Sequence, residues 1–107
     1  MITSSLWIGL VNIVPKEGNL DLGDAKGAFT NFIAFANSRD DFLISAQTEF
    51  EKRNYVIVDV EDIEPLSVRI NKYQLREDLL TLARYVEETG NPGIDRLHIY
   101  EDDDELN

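Results

Sequence analysis

The sequence contains no cysteine and a single histidine, His98, among its 107 residues. Without thiolates there can be no disulfide scaffold, no cysteine-ligated zinc or iron–sulfur centre and no cysteine nucleophile. One histidine cannot build a two- or three-histidine metal site from one chain. Basic residues are scarce as well: ten Lys and Arg stand against twenty-one Asp and Glu, a formal net charge of −11. Such a field repels phosphate backbones and anionic lipid head groups. The few cations are scattered; only Lys52 with Arg53, and Arg69 with Lys72 and Arg76, come near one another, each with acids close by. Direct nucleic-acid binding and membrane association are therefore not expected. Long apolar runs are also missing. The stretch from Leu6 to Val14 has nine residues and ends in Pro15, whereas a helical membrane span needs about 20. It has neither the basic flank nor the small-residue cleavage site of an export signal, so a cytoplasmic protein is expected.

What is present is the profile of a globular chain, 43% hydrophobic and 29% charged. Surface-to-volume scaling for 12.2 kDa buries about two-thirds of the extended chain's surface, which supports one domain. Residues 1–100 read as that domain and 101–107 as an acidic tail, because the five consecutive acids Glu101 to Glu105 repel one another and stay solvated.

Leu6 to Val14 is nearly continuous in apolar, often β-branched residues and reads as a strand covered on both faces. Pro15 to Gly27 is a thirteen-residue connection with three glycines and the acids Glu17, Asp21 and Asp24, long enough to be a functional or mobile loop. Ala28 to Ala36 reads as a second strand, although Phe29, Phe32, Ile33 and Ala36 also fit helical spacing. A helix follows. Ser38 suits the N-cap, Asp40 and Asp41 suit the positive N-terminus, and Phe42, Ala46 and Phe50 form one stripe. Lys52 and Arg53 favour its last turn, and Asn54 suits the left-handed position beyond it. Tyr55 to Val60 alternates as a strand, continued by the acidic, edge-like segment Glu61 to Pro65. From about Tyr73 to Thr89, Leu75, Leu79, Leu82 and Val86 mark a second helix stopped by Gly90. Arg96 to Tyr100 is a last short strand. The order β-β-α-β-α-β predicts an α+β fold, a two-layer sandwich with a four-stranded mixed sheet and two helices on one face. A right-handed crossover is expected between Ala28 and Val60 if its two strands run parallel.

No motif carries catalysis. Gly18 to Gly27 resembles a phosphate loop only in its glycines: Asp24 stands where the lysine after the second glycine belongs, and an acid there repels phosphate. Counted from Asn19, with Asp21 and Gly23 spaced like the next ligands, a calcium loop fails at position twelve, which is Thr30 and not a bidentate Glu. His98 lies between Leu97 and Ile99 with no serine in a nucleophile turn, so a Ser–His–Asp arrangement has no support. Trp7 and the five phenylalanines are read as core. The expectation is a chain that is not an enzyme and uses no metal or other cofactor.

An acidic domain of this size fits a basic protein partner. Carboxylates can mimic nucleic acid, speed the encounter and occupy cationic pockets. The sequence therefore points to a binding protein that inhibits or regulates such a partner, for example an immunity protein neutralising a toxin. The candidate contact residues are Asp59, Glu61, Asp62 and Glu64 on the edge segment, with Asp21 and Asp24 in the adjoining loop. The alternative is a ligand-sensing or structural α+β domain that forms a homodimer through its sheet. Leu6 to Val14 and Ala28 to Ala36 carry more apolar side chains than one helical layer must cover.

Overall fold

Two strands that are apolar on both faces need a covering layer on each side, and the chain supplies both. The computed structural model describes residues 5–100. In chain order it has β1 (Ser5–Pro15), β2 (Gly27–Ala36), α1 (Arg39–Lys52), β3 (Tyr55–Pro65), α2 (Leu66–Lys72), α3 (Glu77–Thr89), β4 (Gly93–Ile94) and β5 (His98–Tyr100). The sheet order is β3-β1-β2-β4, and β5 also pairs with β2, beside β4. Every pairing is antiparallel, so β2 and β3 run the same way on either side of β1, and α1 crosses over between them.

Opposed residues in an antiparallel ladder point to the same face. On one face Trp7, Gly9, Val11 and Ile13 of β1 stand opposite Ala34, Phe32, Thr30 and Ala28 of β2. This face packs under α1 through Phe42, Ala46 and Phe50, and Leu22 and Ala25 of the β1–β2 loop join the same core. Phe42 fits because position 9 has no side chain: a Cβ on Gly9 would stand 2.8 Å from Phe42 Cε2. On the other face Ile8 and Ile33, with Leu6 and Phe35, pack against Leu66, Leu79, Ala83 and Val86 of α2 and α3. The fold is thus α+β, but its helices lie on both faces of the sheet, not on one. The apolar excess of β1 and β2 demanded the second layer.

Three further expectations are corrected. Among the described residues the sheet has five strands, all paired antiparallel, where the sequence predicts four mixed strands. Helices number three among the described residues, because Leu66–Lys72 forms a seven-residue helix on which Leu66 alone is buried. The last helix begins at Glu77 and not near Tyr73, since the backbone at Tyr73 is extended and breaks the spiral. Ala28 to Ala36, ambiguous by spacing, is a strand.

Local signals elsewhere acted as read. Ser38 Oγ accepts from the Asp41 N–H at 3.1 Å, and the Asp41 carboxylate accepts in return from the Asn37 N–H at 2.9 Å. Asn54 takes the left-handed conformation at φ 65°, and Gly90 ends α3 at φ 78°. No helix among the described residues is long and apolar enough to cross a membrane. The acidic run Glu101 to Glu105 lies outside the described residues.

Candidate functional site

Strand β3 forms one edge of the sheet, paired along one side to β1. Two register irregularities interrupt that pairing, one between the partners of Asn12 and Ile13 and one between those of Ile8 and Leu10. Asp62 sits in the second, in the left-handed region at φ 55°. Bulges, acidic side chains and Pro65 together make a poor template for adding a further strand.

Asp59 stands opposite Asn12 and Glu61 opposite Leu10, so both carboxylates rise from the same sheet face. Both are exposed, and among the described residues neither has a cation within ion-pair distance. Asp62 is exposed at the bulge, where its carbonyl accepts from Arg69 Nη2 at 2.7 Å. Glu64 differs. Its side chain is 16% exposed, Lys72 lies 2.6 Å away and Arg69 Nε donates to its other oxygen. Hydrogen bonds from Lys72 and Arg69 hold this carboxyl below the ordinary glutamate range. Its charge is already neutralised within the fold.

The loop acids occupy a different place. The β1–β2 loop is fastened to the start of β3 by Asn19, whose Nδ2 donates to Asn54 O at 2.7 Å, while its Oδ1 accepts from the Asp21 N–H at 2.9 Å. Tyr55 donates its phenol proton to Asp21 at 3.3 Å. Burial, then the negative charge of Asp21, raises the Tyr55 phenol above its usual value. Asp24 is exposed nearby in sequence, and the buried Leu22 and Ala25 around it belong to the α1-side core. The six predicted contact residues thus form three groups: Asp59 and Glu61 with Asp62 beside them, Glu64 beneath α2, and Asp21 with Asp24 at the loop.

Sequence reading missed the ion-pair cluster between β3 and the α2–α3 connection. A cavity of about 430 Å³ opens there, lined by Ile63, Glu64, Arg69, Lys72, Arg76 and Asn31 among others. Arg76 pairs with Asp95, whose side chain is 6% exposed. Asn31 Nδ2 reaches the same carboxylate at 3.4 Å, and the Thr30 hydroxyl donates to Asp95 O at 2.9 Å. Burial alone would raise the Asp95 carboxyl, but the Arg96 N–H, Arg76 and Asn31 outweigh it and the net shift is downward. Arg69 and Lys72 face Glu64, and Arg76 faces Asp95 and Asp78. The three cations are therefore spent on fixing α2 and the β4–β5 segment to the sheet. Their 3-and-4 spacing was the available signal, but their acidic partners lie across turns that spacing does not reveal.

No protein-family model matches this chain, and no significant similarity links it to a curated protein or a solved structure.

Among the described residues no group of three His, Asp or Glu side chains is arranged to hold a metal ion. His98 is exposed on β5, opposite Phe29 of β2. What the β3 edge offers chemically is a rigidly placed pair of uncompensated carboxylates, able to accept hydrogen bonds from Lys or Arg.

Proposed function

We propose that this chain is a small acidic binding protein, without catalysis of its own, that inhibits or regulates a basic protein. A cytoplasmic immunity or inhibitor protein neutralising a basic toxin, such as a nuclease whose active site is built for phosphates, is the most concrete form of that reading. The observation that carries it is the exposed pair Asp59 and Glu61 on one face of β3, without an ion-pair partner among the described residues. Carboxylates fixed on a strand lose less freedom on binding than carboxylates on a mobile segment, so each contributes more to affinity. The net charge of −11 steers a cationic partner toward them from a distance. Glu64 is withdrawn from the contact set, since its two cations already satisfy it. Asp62 remains beside the pair.

The test is affinity capture from native lysate at low salt, followed by association kinetics of the retained protein with an Asp59→Asn, Glu61→Gln, Asp62→Asn variant. A basic protein should be retained, and its association with the variant should slow about tenfold at low salt, less at high salt. An acidic captured protein, or kinetics unchanged by the triple substitution, overturns the reading.

A further inference from the structure

The two faces of the sheet are not equally covered. On the α1 side, helix and loop span the strands from Trp7 to Ile13 and down to Tyr55. On the other side, α2 and α3 pack over Leu6, Ile8, Ile33 and Phe35 only. Beyond them, Leu10 and Val14 of β1 and Phe29 of β2 are half-buried and belong to neither core, and Val56 of β3 is 45% exposed. Register places all four on the same face as Asp59 and Glu61: Val14 stands opposite Val56, Asn12 opposite both Phe29 and Asp59, and Leu10 opposite Glu61. Asn12 does not break the apolar floor, because its Oδ1 accepts from the Tyr100 phenol at 2.8 Å. Tyr100 in turn packs on Phe29 with ring centroids 5.2 Å apart. The result is an apolar patch with an acidic rim on its β3 side and two polar residues at its β2 margin, Asn31 opposite Leu10 and the exposed His98 opposite Phe29.

We infer that this half-face, uncovered among the described residues, seats a short amphipathic helix of the basic partner, apolar stripe down and Lys or Arg toward Asp59 and Glu61; the inference rests on the proposed binding function and names where and how the partner lies. Dimensions favour a helix. Three strands at about 4.8 Å spacing give a floor about 10 Å wide, the diameter of one helix. Leu10 to Val14 runs about 13 Å, which two to three helical turns cover. Charge selects the occupant. A second copy of the chain would bring another formal charge of −11 against the acidic rim, whereas a cationic helix neutralises it. A helix in that position would continue the layer that α2 and α3 begin, as α1 does on the opposite face.

The probe is a synthetic twelve-residue peptide with leucines at helical i, i+3, i+4, i+7 spacing and lysines elsewhere, compared with an oligolysine of equal charge. Amide shift mapping on isotopically labelled protein should place the amphipathic peptide at Leu10, Val14, Phe29 and Val56, with binding tighter than that of oligolysine. Substituting Val56→Ser, at an exposed position that should not disturb folding, should weaken the amphipathic peptide about fivefold and leave oligolysine unchanged. Equal binding of both peptides, with shifts confined to Asp59 and Glu61, overturns the helix seat while the acidic-partner reading stands. Shifts from the amphipathic peptide centred elsewhere on the protein also overturn the seat. No shift at Asp59 and Glu61 with either peptide counts against both.

Discussion

Phe42 lies edge-on against the bare backbone of Gly9, with the Gly9 Cβ position 2.8 Å from its Cε2 and 3.3 Å from Ile63 Cγ1. The contact joins α1, β1 and β3 at one point, so a methyl group there must displace a fully buried ring that also meets Phe32 at 5.5 Å. Gly9→Ala should destabilise the fold by about 1–3 kcal/mol through overpacking. Urea unfolding measures it, and an unchanged midpoint would mean that the Phe42 ring yields freely.

Thr30 is the buried polar residue of the core, and its hydroxyl serves the Asp95 carbonyl that anchors the β4–β5 segment. Thr30→Val keeps the shape and strands that carbonyl. The expected loss is about 1–2 kcal/mol, accompanied by faster hydrogen exchange at the Asp95 N–H, which bonds to Asn31 O. A stability equal to wild type would show that water replaces the hydroxyl.

Glu64 sets part of the acid limb of stability. Its carboxyl is depressed in the fold by Lys72 and Arg69, so the folded state binds its proton less readily than the unfolded chain does. The stabilisation is therefore complete above the ordinary glutamate range, near pH 4.3, and is lost as pH falls through the lower folded value. Glu64→Gln should be less stable than wild type at pH 7, and the two urea midpoints should converge as pH falls from about 5 toward 2. Curves that stay parallel over that range would assign the acid sensitivity to other carboxylates.

The parts of the fold legible in the sequence are those fixed by contacts within a few residues. Ser38 with Asp41, the Phe42–Ala46–Phe50 stripe and the stop at Gly90 each need only their neighbours, and each is where spacing placed it. Helix α2 was illegible because seven residues give barely two turns, Val68 and Ile70 are β-branched, and Pro65 supplies no side-chain cap. The second helical layer was written in the apolar excess of β1 and β2, but the same excess suits a dimer face equally well. Composition cannot tell the two apart. For the candidate site, the alternation Asp59, Glu61 on an edge strand was readable. The withdrawal of Glu64 into an ion pair was not, because Arg69 and Lys72 reach it only once the chain turns at Pro65.

The position of β1 between β2 and β3 bears on how the chain reaches this state. During synthesis β1 is made before both of its partners. It can zip onto β2 once the loop at Lys16 to Lys26 has formed, but its other rim waits until Tyr55 to Pro65 emerges some fifty residues later. In that interval the free edge of β1, rich in Val, Ile and Leu, can pair with a neighbouring nascent chain. Late closure by a strand rich in carboxylates then seals the rim and leaves a charged border behind. The exposed acids Asp59 and Glu61 thus also border the last seam to close.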